Sequence, residues 1–224
     1  MDIRKAAIAP TLLCADPLNL ESEIAALERH DIKWHHVDVM DGHFVPNLAF
    51  GMDAVRAICS AAKKPVCVHL MAQRPGDYVG RLSAAGASVF IFHLEAERAP
   101  FRLIGAVRDA GMLCGVAVSP ITPVSLLEPL VPLIDAALIM GVEPGFSGQA
   151  FLPQTYDKIA QLRALADRLN PALIIEADGG IDETNGPPCA EAGADVLVGG
   201  AFTLFKGGGS LERNYADFAR ALGL

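Results

Sequence analysis

Positive charge is scarce in this chain. Its 224 residues contain 18 Lys and Arg against 26 Asp and Glu, for a net charge of -8, and the basic residues form no cluster. Nucleic acids and anionic membrane surfaces bind to concentrated positive charge, so we expect neither as a partner. An anionic ligand would have to be held locally, by backbone amides or by a metal ion.

Cysteine pairs and long hydrophobic runs are also missing. The five cysteines are odd in number and form no Cys-x-x-Cys motif, which indicates reduced thiols in a cytoplasmic protein and argues against a thiolate zinc site. They are Cys14, Cys59, Cys67, Cys114 and Cys189. No apolar run approaches the length of a membrane span, and no signal-type segment opens the chain. We therefore expect a soluble, unexported protein.

Apolar residues, by contrast, are abundant. They make up 52% of the chain, which is enough to bury one large core at this length. No change in composition and no linker marks a second domain, so we expect a single domain over residues 1–224. Because so much apolar residue in a short chain favours a covered subunit interface, we also expect a homo-oligomer.

Short apolar runs alternate with longer amphipathic segments along the whole chain. The predicted strands are Ala6–Leu13, Trp34–Met40, Val66–Leu70, Val89–His93, Leu113–Val118, Ala136–Met140, Leu173–Asp178 and Val196–Gly199. The predicted helices are Leu20–His30, Met52–Ala62, Asp77–Ala85, Pro100–Ala110, Val124–Leu130, Thr155–Leu169, Thr184–Ala192 and Leu211–Leu222. Eight such units predict an α/β fold, a parallel eight-stranded (β/α)8 TIM barrel. A doubly wound open sheet would show a Gly-x-Gly-x-x-Gly turn after its first strand, which is absent.

Two histidines and two carboxylates stand at the carboxyl ends of three of these strands. His36 and Asp38 share one face of the second strand, His69 is near the end of the third, and Asp178 ends the seventh. A single strand-end His or Asp is more often a cap or turn residue than a ligand. In a barrel, however, all four side chains converge on one mouth, where they could hold a divalent metal or form an acid/base pair.

Glycine-containing turns follow the last three strands and predict an anion site. Backbone N–H groups can approach a phosphate closely where no Cβ obstructs them, and this fold commonly binds phosphate after strands seven and eight. The predicted phosphate-binding residues are Gly145, Phe146, Ser147, Gly148, Gly179, Gly180, Gly199 and Gly200. We also expect a short helix over residues 201–205. A divalent metal bound to a ketone and its neighbouring hydroxyl would ease removal of the proton on the hydroxyl-bearing carbon.

With these residues in view, the chain resembles the ribulose-phosphate 3-epimerases and related ketose-phosphate 3-epimerases. The resemblance covers almost the whole chain, and its most specific part is the block from His36 to Leu48. The other matching segments are Ile8-Ala9-Pro10, Val68-His69-Leu70-Met71, Pro144-Gly145-Phe146 with Gly148-Gln149, Asp178-Gly179-Gly180-Ile181 and Ala192-Gly193-Ala194-Asp195.

The resemblance implies epimerisation at carbon 3 of a ketose phosphate, most plainly D-ribulose 5-phosphate to D-xylulose 5-phosphate in pentose-phosphate metabolism. It implies one divalent metal on His36, Asp38, His69 and Asp178, with no nucleotide cofactor. A mixed nitrogen and oxygen ligand set admits zinc, iron(II), manganese(II) or cobalt(II). Asp38 and Asp178 would also be the two catalytic acid/base residues, acting on opposite faces of carbon 3 through a metal-stabilised cis-enediolate.

The resemblance further implies which residues surround the substrate. Thr11 and His69 would contact it, and the three methionines Met40, Met71 and Met140 would pack over the reacting carbons. Methionine is more often a core filler, but an apolar lid that excludes water from the reacting carbons is a reasonable addition.

The chain departs from the usual family pattern at five positions near the substrate. These are Thr11, Cys14, Glu143, Ser147 and Gly200, where the family usually has Ser, Ser, Asn, Gly and Ser. A carboxylate at position 143 should repel a sugar phosphate unless it points to a sugar hydroxyl or away. Because relatives acting on D-allulose 6-phosphate carry similar residues near 14 and 143, a six-carbon substrate is the alternative.

Two other kinds of function fit the sequence less well. A lysine-dependent aldolase or an orotidine-phosphate type decarboxylase needs a lysine near a strand end, but the lysines here fall elsewhere. A non-catalytic phosphosugar sensor could lose its proton-transfer aspartates, yet both remain. Among the other residues, His35 should be structural, and His43, His93 and Glu95 could orient metal ligands. Glu176 inside the barrel would need a partner or a raised pKa.

Overall fold

The computed structural model describes residues 6–224 and shows one α/β domain. Its strands are β1 (Ala7–Pro10), β2 (His35–Asp41), β3 (Leu48–Ala49), β4 (Val66–Met71), β5 (Val89–His93), β6 (Leu113–Val118), β7 (Ala136–Met140), β8 (Ile174–Asp178) and β9 (Val196–Gly199). Its α-helices are α1 (Leu20–Leu27), α2 (Met52–Ala61), α3 (Val79–Ala85), α4 (Pro100–Asp109), α5 (Thr155–Leu169), α6 (Gly186–Ala192) and α7 (Leu211–Ala221). The expectations for the first five residues, including the absence of a signal segment, lie outside the described range.

The strands form one curled sheet in the order β1-β9-β8-β7-β6-β5-β4-β2-β3. All neighbours pair in parallel except β3, which pairs antiparallel to the end of β2. Two isolated parallel bridges, Ile8 to Ile32 and Thr11 to His36, connect the β1 segment to the β2 segment. The predicted parallel architecture is confirmed, but the sheet has nine strands where eight were predicted, because β3 is only two residues long and has no detectable periodicity.

Side chains alternate between two apolar layers, as the period of a β-strand requires. One layer lies inside the curled sheet and includes Trp34, Ile91 and Leu138. The other lies between the sheet and the helices and includes Val37 and Val39 of β2. On β2 this alternation leaves His36 and Asp38 facing the inside of the curl.

Three local expectations are corrected by the structure. The helix expected over Val124–Leu130 is replaced by two 3-10 turns, Val124–Leu127 and Val131–Leu133, because Pro129 and Pro132 cannot supply the N–H donors of an α-helix. The first strand ends at Pro10 rather than at Leu13, and a 3-10 turn over Leu12–Cys14 follows it.

The third correction concerns residues 201–205, which form turns rather than a short helix. The N–H groups of Thr203 and Phe205 both donate to the carbonyl of Gly200, over 3.1 Å each. Asn214 of α7 fastens the end of this segment by donating to the carbonyls of Leu204 and Lys206. Within residues 6–224, no helix combines the length and apolarity that crossing a membrane would require.

Candidate active site

His36, Asp38, His69 and Asp178 come together where β2, β4 and β8 end. Strand register sets Asp38 directly beside His69, and Asp38 Oδ1 lies 3.1 Å from His69 Nδ1 and 3.3 Å from His36 Nε2. Asp178 Oδ2 lies 3.5 Å from His69 Nδ1 and 3.8 Å from His36 Nε2. One potential ligand atom from each residue falls within 4.8 Å of all the others, which is close enough for a single ion to contact all four.

The chemistry of this cluster fits a divalent metal. His36 Nε2 is buried and forms no hydrogen bond with any described residue, although two carboxylate oxygens lie near it. Such a buried nitrogen is costly unless it binds a proton donor, an acceptor or an ion. Two imidazole nitrogens and two carboxylates form a mixed donor set that accepts first-row divalent ions.

Electrostatics in the cluster favours ionised carboxylate and charged imidazole in the absence of an ion. Burial alone would lower the pKa of His36, but the charge of Asp38 and the contact with Glu176 raise that pKa well above its usual value. Burial would raise the pKa of Asp38, but His36 and His69 hold it below its usual value. A metal would therefore displace protons from the histidines while using an Asp38 carboxylate that is already ionised.

Glu176 contacts His36 and Trp34, partners that the sequence alone could not identify. Its side chain is completely buried inside the sheet, where Oε1 lies 3.0 Å from His36 Nδ1 and accepts from Trp34 Nε1 over 3.3 Å. A carboxylate on the far nitrogen fixes the orientation of a ligating imidazole and increases its basicity. Glu176 is therefore placed to hold His36 with Nε2 toward the cluster.

A cavity opens onto the carboxylates of Asp38 and Asp178. Asp38 and Asp178 line it, whereas His36 and His69 lie beneath it and are completely buried. Met40, Met71 and Met140 also line the cavity and are at most 5% exposed. The three methionines thus form an apolar wall beside the carboxylates, and their packing over the reacting carbons stays a prediction.

The glycine turns after β7, β8 and β9 also line this cavity. The lining includes Gly145, Phe146, Ser147, Gly148, Gly179, Gly180 and Gly200. Gly199 is the exception: it lies in β9, does not line the cavity, and its carbonyl accepts from the N–H of Thr11 over 3.0 Å. Its predicted place at the phosphate end is therefore not seen.

Backbone packing explains why two of these positions are glycine. Gly180 has a φ of +69°, and a Cβ there would lie 2.8 Å from the N of Phe151 and 3.0 Å from the carbonyl oxygen of Gln149. Gly179 has a φ of +104°, and a Cβ there would meet Val142 at 2.5 Å. The loops after β7 and β8 thus pack backbone against backbone, which only glycine permits.

Two departures from the family pattern do not intrude on the cavity. Glu143 is exposed and does not line it. Beside Gly200, the space that a Cβ would occupy is bounded by the Thr11 methyl at 3.1 Å and the Cys14 sulfur at 3.3 Å. Burial, with the nearby charge of Asp38, raises the pKa of the Cys14 thiol to about 11, so it stays a neutral wall.

Comparison with known proteins now identifies the chain. The profile of the ribulose-phosphate 3 epimerase family matches residues 7–204. This chain belongs to that family. Two curated relatives named ribulose-phosphate 3-epimerase are those of Treponema pallidum (strain Nichols), 42% identical over 91% of this chain and 93% of its own length, and of Rhodobacter capsulatus, 44% identical over 92% and 88%. The predicted class, an isomerase of the ketose-phosphate 3-epimerase kind, is confirmed at the level of the family.

Solved structures support the fold alone. A mutant tryptophan synthase alpha-subunit from the hyperthermophile Pyrococcus furiosus superposes with a TM-score of 0.71 at 13% identity, covering 99% of this chain and 100% of the other. A second mutant of the same subunit gives a TM-score of 0.70 at 12% identity with the same coverage.

Sequence reasoning missed part of the lining of this epimerase-family cavity. The apolar lining residues that it missed are Leu13, Val142, Ile181 and Val198. Ala201 and Phe202 also line the cavity, and they fall in the segment expected as a short helix beside the anion site. A second potential ligand group, formed by His36, Cys67 and Glu176, was also missed, although Cys67 precedes His69 by two residues on the same strand face.

Of three other histidines, His35 and His93 lie where the sequence predicted, and His43 does not. His35 faces away from the cluster, and its Nε2 lies 3.3 Å from Glu28. His93 is buried beside His69, but His43 is exposed, and its Nδ1 lies 2.9 Å from the carbonyl oxygen of Asp41. His43 is therefore not in position to orient a ligand.

Proposed function

We propose that this protein converts D-ribulose 5-phosphate to D-xylulose 5-phosphate by two-base proton transfer at carbon 3. The observation that carries the proposal is that Asp38 and Asp178 both line one cavity and both lie within 4 Å of the same two imidazoles. The names of the curated relatives support the five-carbon substrate. The scaffold that we propose is a single closed (β/α)8 domain over residues 1–224.

His36, Asp38, His69 and Asp178 would hold one divalent metal. When bound, such an ion acts as a Lewis acid that lowers the energetic cost of removing a proton next to a carbonyl group. The buried, unpartnered Nε2 of His36 and the mixed donor set support this assignment. The metal would be zinc, iron(II), manganese(II) or cobalt(II), since all accept these ligands.

Proton transfer is the task of the two carboxylates. One aspartate removes the proton from carbon 3, and the other delivers a proton to the opposite face of the resulting enediolate. Asp38 is suited to the role because positive charge beside it holds its pKa below the usual value. Without metal the imidazoles supply that charge, and a bound divalent cation would supply it in their place. Thr11 donates its hydroxyl proton to Asp38 Oδ2 over 2.5 Å, which fixes the carboxylate plane.

The other cavity residues bind and shield the substrate. Thr11 lines the cavity and would lie next to the sugar, whereas the buried His69 does not line it and would act as a metal ligand. The wall of Met40, Met71 and Met140 excludes water that would protonate the intermediate. The backbone at Gly145–Gly148, Gly179, Gly180 and Gly200 would bind the phosphate through N–H groups.

An activity assay can distinguish a five-carbon from a six-carbon substrate. Purified protein should be stripped of metal, reloaded with Mn(II), Co(II), Fe(II) or Zn(II) in turn, and assayed with D-ribulose 5-phosphate and D-allulose 6-phosphate. We expect a higher kcat/KM for the five-carbon sugar, and activity that disappears on stripping. Preference for D-allulose 6-phosphate would overturn the substrate, activity without metal would overturn the cofactor, and binding of either sugar without turnover would favour a phosphosugar sensor.

A further inference from the structure

Three side chains in contact, His69, His93 and Glu95, form a series that extends away from the metal-ligand cluster. His69 Nε2 lies 2.9 Å from His93 Nε2, and His93 Nδ1 lies 3.3 Å from Glu95 Oε2. Both histidines are completely buried, whereas the Glu95 side chain is 26% exposed. No step of the proposed reaction uses His93 or Glu95, so this arrangement calls for a separate explanation.

At the Glu95 end of this series, the direction of the hydrogen bonds is fixed. Glu95 Oε1 accepts from the backbone N–H of Ser119 over 2.8 Å and from the hydroxyl of Thr122. A backbone N–H can only donate, so the glutamate must present an acceptor there, and its second oxygen faces His93. Lys158 secures the Ser119 loop by donating to the carbonyls of Ser119 and Pro120 over 2.6 and 3.0 Å.

At the His69 end, metal binding fixes the direction of the hydrogen bond to His93. An imidazole nitrogen binds a metal through its lone pair, so His69 Nδ1 must be unprotonated when it is a ligand, and the proton of the neutral ring is then on Nε2. The atom that can accept that proton is His93 Nε2. A neutral His93 then carries its own proton on Nδ1, where it donates to Glu95.

We propose that His93 and Glu95 are positioning residues that fix the tautomer and orientation of His69, so that Nδ1 faces the metal. The inference rests on the proposed metal site. The rings are also held by stacking: the His69 and His93 centroids lie 5.0 Å apart with planes at 28°, and Phe44 packs against His93 at 4.8 Å. The two histidine ligands are thus supported differently, His36 by Glu176 directly and His69 through a second imidazole.

Glu95→Gln tests these hydrogen-bond directions with little change in the shape of the side chain. Because Ser119 N–H needs an acceptor, the amide oxygen takes the Oε1 position and the amide NH2 faces His93 Nδ1. His93 must then accept on Nδ1 and carry its proton on Nε2, which directs His69 to carry its proton on Nδ1. We expect the affinity for Zn(II) to fall about 10- to 100-fold, the range found when outer partners of metal ligands are removed.

Glu97→Gln is the matched control. Glu97 lies two residues further along the same loop and accepts from the N–H of Ala99 over 2.7 Å. Zn(II) affinity should be measured by competition with a chromophoric chelator for the wild type and both variants, and unfolding of each metal-free protein should be followed to check that it is folded. Histidine ¹⁵N spectra of the Zn(II)-loaded wild type should place the His69 proton on Nε2.

The possible results separate the two proposals. Weaker Zn(II) binding by Glu95→Gln alone, with the expected tautomer in the wild type, supports the positioning role. Zn(II) affinity for Glu95→Gln within twofold of the wild type overturns it while leaving the metal site intact. A His69 proton on Nδ1 in the loaded wild type also overturns it, and removes Nδ1 of His69 from the ligand set. A wild type that binds no Zn(II), Mn(II), Co(II) or Fe(II) overturns the metal site and this inference together.

Discussion

The hydroxyl of Thr11 donates to Oδ2 of Asp38 over 2.5 Å, while Oδ1 of the same carboxylate faces His69 and His36. The two oxygens of Asp38 therefore have different neighbours. Oδ1 belongs to the metal-ligand cluster, and Oδ2 is held by an uncharged donor at the wall of the cavity. This division lets one carboxylate serve as a ligand and as a base, and it leads to the first prediction.

Thr11→Val should lower kcat about tenfold, the lower end of the effect expected when a partner of a ligating carboxylate is lost. The valine keeps the shape of the side chain but cannot donate to Asp38 Oδ2. Thr11→Ser, which retains the hydroxyl, should keep kcat near the wild-type value. Steady-state kinetics checks this, and equal kcat for Thr11→Val and Thr11→Ser would show that the hydrogen bond is not used.

Asp38→Asn and Asp178→Asn should each lower epimerisation by a factor of about 10² to 10⁴, the usual contribution of a general acid or base. If the bases act on opposite faces, each variant should still exchange the carbon 3 proton of one epimer with solvent, and the two variants should do so with opposite epimers. Deuterium uptake by each purified epimer, at saturating Mn(II), measures this. Exchange of the same epimer by both variants would contradict the two-face assignment.

Gly180→Ala should destabilise the protein more than Gly148→Ala. Both glycines have positive φ, +69° and +76°, but a Cβ at 180 meets backbone atoms of Phe151 and Gln149, whereas a Cβ at 148 has nothing within 4 Å. Positive φ costs about 1–2 kcal/mol at either position, and the close contacts should add about 1–3 kcal/mol at 180. Urea unfolding measures both, and equal losses would show that the loops can separate without cost.

Glu28→Gln should destabilise the protein near neutral pH but much less in acid. Burial opposes ionisation of Glu28, but donation by the N–H groups of Lys64 and Lys63 and by His35 lowers its pKa below the usual value. Stability from a depressed carboxyl pKa is present above the unfolded-state pKa and is lost as the pH falls through the folded-state pKa.

We therefore expect Glu28→Gln to reduce the free energy of unfolding by about 1–3 kcal/mol near pH 7, as for lost bonds to a charged acceptor, and the difference from the wild type to shrink below about pH 4. Glu191→Gln, at an exposed position near the end of α6, should change little at either pH. A difference for Glu28→Gln that stays constant with pH would contradict the assigned role of its charge.

The sequence predicted those features that depend on local residue patterns. Alternating apolar residues predicted the parallel strands, and the strand-end positions of His36, Asp38, His69 and Asp178 predicted a cluster that the structure brings within 4.8 Å. The contact of His93 with His69 and of Glu176 with His36 depends on strand register and ring orientation, which periodicity does not specify.

Other outcomes depended on packing between distant segments. Gly199 looked like its glycine neighbours in sequence, but it does not line the cavity, although Val198 and Gly200 on either side of it do. Likewise, nothing local to Glu143 showed that it would not line the cavity. The cytoplasmic location, the homo-oligomer and the absence of nucleic-acid partners stay predictions.

The most direct test of the central claim is proton and deuterium NMR in deuterated water, with metal-loaded protein and D-ribulose 5-phosphate. The account predicts that D-xylulose 5-phosphate appears and that each product molecule carries deuterium at carbon 3, because the second aspartate delivers a proton taken from solvent. Formation of D-xylulose 5-phosphate that keeps the original proton at carbon 3, or no reaction at all with any of the four metals, would contradict it.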